Sequence, residues 1–105
     1  NTIRHAGATW AKTGAMEGAP LGITGNNVLP GYTDTARLGS LIEARAKHEG
    51  ASNEQIIAGM KAKIPMGRFA APREIAMGVA FLASAEASYV TGINLTLDGG
   101  RTGSM

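Results

Sequence analysis

Apolar positions recur along the chain with two different periods, and the change of period marks the elements. Ile3, Gly7, Trp10, Ala11, Gly14, Ala15 and Gly18 recur mostly at spacings of three and four, which puts small and apolar residues on one helical face. The pattern predicts a helix over residues 2–18. It must stop before Ala19-Pro20, because the residue ahead of a proline is pushed out of the helical region. Leu21-Gly22 is a turn. Ile23 to Leu29 reads as a strand carried by Ile23, Val28 and Leu29 and ended by Pro30-Gly31. Gly25 is its weak point, since glycine inside a strand costs packing and entropy.

Tyr32 to Thr35 is a polar turn. Leu38, Leu41, Ile42 and Arg45 then define a short amphipathic helix from Ala36 to His48. Gly50-Ala51-Ser52-Asn53 breaks it, and Ser52 or Asn53 can cap a second helix from Glu54 to about Lys61. Pro65 to Ala71 is loop. Pro72 suits a first helical turn, and Ile75, Val79, Leu82 and Ala83 supply the apolar face of a helix over 72–86. Tyr89 to Gly92 turns into Ile93-Asn94-Leu95-Thr96-Leu97, whose alternation is that of a half-buried strand.

Two strands joined through helices must run parallel by a right-handed crossover, so the predicted class is α/β. The connection from Pro30 to Pro72 is long for such a unit. Insertions after the carboxyl end of a strand are where open α/β sheets bind substrates.

Composition narrows the function classes. With 105 residues the chain is one domain at most, or part of one. Ten Lys and Arg against eight Asp and Glu give a net charge of +2, too little to suggest nucleic acid as a partner. Apolar runs such as Val79-Ala80-Phe81-Leu82-Ala83 fall far short of the ~18 residues of a membrane span. Cysteine is absent, which excludes disulfide and thiolate chemistry and fits a reducing, cytoplasmic compartment. His5 and His48 lie far apart with no cysteine, which argues against a metal site. Asn94-Leu95-Thr96 matches a glycosylation sequon but falls in a predicted buried strand. The chain enters a helical pattern almost at Asn1, as if partway through a fold, while Asp98 to Met105 reads as a natural terminus.

Several ordered motifs resemble one family. Trp10-Ala11-Lys12-Thr13, Gly22-Ile23-Thr24 and Asn26-Asn27-Val28-Leu29-Pro30-Gly31-Tyr32-Thr33-Asp34-Thr35 resemble the C-terminal part of a short-chain dehydrogenase/reductase. Arg68, Pro72, Glu74, Phe81, Leu82, Tyr89, Thr91, Gly92 and Asp98-Gly99-Gly100 match its closing pattern in order and spacing. The nearest look is to 3-oxoacyl-(acyl carrier protein) reductase-like members, and the resemblance covers nearly all residues. It implies the C-terminal part of a doubly wound, parallel-sheet Rossmann fold over residues 1–105, with 36–71 as a substrate-loop insertion. It also implies NAD or NADP as cofactor and hydride transfer to or from a carbonyl/alcohol substrate or acyl thioester.

On that resemblance Pro30, Gly31, Tyr32, Thr33 and Thr35 would line the nicotinamide, with the Thr33 backbone and the Thr35 hydroxyl bonding its carboxamide. Alternatively Thr35 merely caps the following helix. Lys12-Thr13 aligns Arg4 with the family's catalytic lysine, and the partner tyrosine would fall one position before Asn1. Arg4 would then hold the nicotinamide ribose and serve the proton relay; otherwise it is a surface arginine. No Gly-x-x-x-Gly-x-Gly phosphate loop and no catalytic serine strand occur in these residues.

Leu38, Leu41, Ile42 and Met60 are candidate substrate-loop residues, though their helical spacing also suits plain packing. The span from Arg37 to Arg73 holds seven basic residues and three glutamates, which would attract an anionic acyl carrier or else simply solvate helix faces. The small-residue stripe of the first helix permits close helix approach, and the resemblance implies a dimer face there in a homo-oligomer, a dimer or tetramer. A second reading is a non-catalytic, truncated relative acting by subunit association.

Overall fold

The computed structural model describes residues 12–102. Residues 12–18 are helical (α1) and pass into a 3-10 turn, Ala19–Leu21, closed at Gly22 by its left-handed φ of 77°. Strand β1 (Asn27–Pro30) follows, then α2 (Ala36–Glu49), α3 (Asn53–Ala62), α4 (Pro72–Leu82), a 3-10 turn Ala85–Ala87 and strand β2 (Asn94–Leu97). The two strands pair in one sheet. Asn27 N–H donates to Ile93 O and Gly31 N–H to Leu97 O, both at 2.9 Å. Equal steps in the same direction along both strands mean a parallel ladder, as the strand–helix–strand order requires. The arrangement is a partial Rossmann-type α/β fold.

The predicted strand over 23–29 is shorter at its start. Residues 23–26 make no ladder, because their polar groups are satisfied another way. Gly25 N–H donates to Thr91 Oγ1 at 3.1 Å, and Gly92 N–H donates to Gly25 O at 2.8 Å. The Asn26 amide donates to Val90 O and accepts from Ile93 N–H, each at 3.1 Å. A side chain thus substitutes for the first rung, and regular pairing starts at Asn27. The helix predicted over 72–86 also stops early, at Leu82. There Ser84 N–H reaches back only three residues, to Phe81 O, which tightens the chain into a 3-10 end.

The chain divides into two compact units. Among the described residues, one comprises 12–29 and 76–96. Within it Ala15 is buried, and Gly92, with φ 76°, lies close enough that a Cβ there would touch the Ala15 methyl. The segment 76–83 buries no side chain, and Met77, Val79 and Phe81 are exposed.

The other comprises 30–75 and 97–102 and holds the main apolar cluster. Leu38, Ile42 and Ala46 of α2 pack with Ile56 and Met60 of α3, flanked by Tyr32, Ile57 and Phe69. Capping fixes both helices. Thr35 Oγ1 accepts from Leu38 N–H, Gly50 ends α2 with φ 66°, and Ser52 and Gln55 form a reciprocal capping box at α3.

Candidate active site

The site is built where β1 ends. Its geometry depends on three loops of the second unit meeting closely. Gly31 follows the strand, and a Cβ on it would lie 2.8 Å from both Cα and Cβ of Asp98. Gly99 and Gly100 hold φ 65° and 91°, and Cβ atoms there would meet Ile64 at 2.8 Å and Pro65 at 3.2 Å. The glycines of the Pro-Gly and Asp-Gly-Gly motifs therefore serve one close crossing. Asp98 locks it: its carboxylate accepts from Gly100 N–H at 3.0 Å, from Thr102 N–H at 2.9 Å and from the Thr102 hydroxyl. Those hydrogen bonds, led by the Thr102 hydroxyl, hold the Asp98 carboxyl below its ordinary pKa.

Beyond Gly31 the chain pairs once more. Thr33 bridges to Ala70 in parallel, with Ala70 N–H donating to Tyr32 O at 2.9 Å and Asp34 N–H donating to Ala70 O at 2.8 Å. The Arg68–Ala71 loop that supplies Ala70 is itself pinned to α4. Arg68 donates to both oxygens of Glu74, at 2.7 and 3.0 Å, and Ala71 N–H donates to Glu74 Oε1 at 2.9 Å. The Arg68 hydrogen bond, helped by the Ala71 N–H, lowers the Glu74 pKa to about 2. Arg68 and Glu74 thus act as a brace for the bridge at Thr33.

This scaffold leaves an open cavity of about 430 Å³ lined by Gly31, Tyr32, Thr33, Thr35, Arg37, Leu38 and Leu41. Thr33 turns its hydroxyl back to donate to Gly31 O at 3.2 Å, and its own N–H has no acceptor among the described residues. Thr35 Oγ1 accepts from Leu38 N–H at 3.3 Å, so its hydroxyl proton remains available to a ligand. Thr33 and Thr35 thus bring to this cavity a backbone donor and a hydroxyl, groups of the kind that bond a planar carboxamide.

The sequence candidates separate into three places. Gly31, Tyr32, Thr33, Thr35, Leu38 and Leu41 share the cavity wall. Pro30 ends β1 and precedes that wall. Ile42 is buried in the α2–α3 cluster, as is Met60, which also borders a second cavity with Tyr32, Arg45, Gln55 and Lys63. Arg4 lies outside the described residues. Arg37 also lines the cavity; in the sequence it stands only within the basic span 37–73, and its signal is its position in the first turn of a helix that follows the turn from Pro30 to Thr35. Among the described residues no group of His, Asp and Glu could hold a metal ion, and no helix is long and apolar enough to cross a membrane.

Comparison with known proteins places the chain in a family. The profile described as Enoyl-(Acyl carrier protein) reductase matches residues 1–102. An acetoacetyl-CoA reductase of Allochromatium vinosum is 44% identical over 86 residues, 82% of this chain and 30% of that protein. A solved short chain dehydrogenase family protein from Francisella tularensis superposes with a TM-score of 0.89 at 34% identity, over 94% of this chain and 41% of that one. YwfH, an NADPH dependent reductase involved in bacilysin biosynthesis, superposes at 0.86 and 34% identity, over 95% of this chain and 38% of its own. The chain belongs to the short-chain dehydrogenase/reductase family. It spans only 30–40% of the length of the first curated relatives it matches.

Proposed function

We propose that these residues form the nicotinamide-facing and substrate-facing part of an NAD- or NADP-dependent reductase. The cofactor, when bound, supplies the hydride exchanged with a carbonyl/alcohol pair. One observation carries the reading: the cavity at the end of β1 is lined by both Thr33, whose N–H has no acceptor among the described residues, and Thr35, whose hydroxyl accepts from Leu38 N–H and keeps its proton to donate. These groups would hold the carboxamide and so fix which ring face meets the substrate. Gly31 lets the chain approach Asp98 closely enough to set that turn.

An acyl thioester is the proposed substrate class. Arg37 beside Leu38 and Leu41 sets a cation next to an apolar wall, which suits an acyl chain on an anionic carrier. The acetoacetyl-CoA reductase relative supports the same class. Arg4 is proposed to hold the ribose and sustain the proton relay through its charge. A homo-oligomer in the cytoplasm completes the proposal.

The experiment is a steady-state assay of the full gene product with NADH or NADPH and acetoacetyl-CoA. Cofactor oxidation dependent on the thioester supports the reading, with Arg4→Ala losing more turnover than Arg4→Lys. A product that binds neither cofactor refutes it. Exposed Met77, Val79 and Phe81 would then favour the association-module reading.

A further inference from the structure

Tyr32 is the shared wall of both cavities, and its ring is held from two directions. The edge of Phe69 meets it with centroids 6.1 Å apart and planes at 73°. The Arg101 guanidinium lies over its face, 4.7 Å from the ring centroid. Lys61 in turn sits 5.3 Å from the Phe69 centroid, so two cations bracket an aromatic pair. Arg101 lines neither cavity. It is delivered by the Asp98 turn, whose carboxylate bonds to Gly100 and Thr102 on either side of it.

We propose that Arg101 is a positioning residue for the cavity at the end of β1: by stacking on Tyr32 it fixes the ring that divides this cavity from the one beside Arg45 and Lys63. Without the cation, the ring can swing into either space. Tyr32 lies between Gly31 and Thr33, so its ring orientation bears directly on the turn that offers the Thr33 N–H. Removing Arg101 therefore weakens binding in the cavity and leaves the chemical step alone. The inference rests on the reductase reading above.

The test compares Arg101→Met, Arg101→Lys, Tyr32→Leu and the double variant Tyr32→Leu/Arg101→Met in the full gene product. Steady-state kinetics with NADPH and acetoacetyl-CoA are paired with NMR of the Arg101 side chain. Arg101→Met should raise KM by about three- to fivefold, the size of one partly exposed cation–π contact, with kcat within about twofold. Arg101→Lys should recover most of the loss, and the double variant should be no worse than Tyr32→Leu. The Arg101 δ protons should show an upfield ring-current shift that Tyr32→Leu abolishes. A wild-type product that binds neither NADH nor NADPH overturns the reductase reading and this inference with it. Wild-type binding with an unchanged KM for Arg101→Met, a loss shared by Arg101→Lys, or additive effects in the double variant overturns this inference alone.

Discussion

Replacing Gly31 by alanine should cost far more than a methyl group's size suggests. The new Cβ would lie 2.8 Å from two carbons of Asp98, one of them backbone. Carbon pairs rest at about 3.5–4.0 Å, so the overlap is about 0.7–1.2 Å. Neither side can retreat alone. Gly31 N–H is tied to Leu97 O at 2.9 Å, and Asp98 is tied through its carboxylate to Gly100 and Thr102. Overpacking of this kind costs about 1–3 kcal/mol, and fixed backbone on both sides points to the upper part, about 2–3 kcal/mol. Gly39 is the control. It lies inside α2 with nothing within 4 Å of an added Cβ. Alanine there should stabilise by about 1 kcal/mol through helix propensity. Urea unfolding of both variants reads the two opposite signs. A Gly31→Ala protein within about 0.5 kcal/mol of wild type, or a Gly39→Ala protein less stable than Gly31→Ala, would refute the close-crossing argument.

Two other outcomes are expected. Glu74 is held at a pKa of about 2 against an ordinary 4.5, so its contribution to stability is complete above about 4.5 and is lost as pH falls towards 2. Glu74→Gln should therefore flatten the fall of melting temperature across that window, and an unchanged slope would show that the Arg68 brace adds nothing. Thr35→Val removes the α2 cap, at a cost of about 1 kcal/mol, and should also weaken NADPH binding, while Thr35→Ser keeps both. Calorimetry showing wild-type affinity in the valine variant would leave Thr35 with the capping role alone.

Much of the architecture was legible because it is local. The helices α2 and α3 follow from apolar spacing, and their caps Thr35, Gly50 and Ser52 stand in the sequence as such. The start of β1 was not legible. Asn26 satisfies groups on Val90 and Ile93, more than sixty positions away, and no local pattern announces such a pairing. The α4 face is apolar in spacing, yet Val79 stands exposed among the described residues, since spacing alone does not say whether a face is covered. The turn from Pro30 to Thr35 was legible as the loop that leaves a strand's carboxyl end. That Gly31 serves Asp98, and that Arg101 reaches Tyr32, are facts of tertiary approach. Ile42 and Met60 show the ambiguity of helical spacing, since the same period serves a substrate wall and a core.

The parallel ladder also sets an order of events in time. Joining β1 to β2 means closing a loop in which contacts such as Gly25 to Thr91 span 66 positions. The entropy of that closure is lost before any rung repays it. The α2–α3 hairpin needs only a three-residue connection and a cluster of neighbouring side chains. Helical hairpins of this kind assemble on the microsecond scale, whereas the strands must await a chance encounter across the whole hairpin. A nascent chain would thus carry α2 and α3 already formed while β1 and β2 are still unpaired.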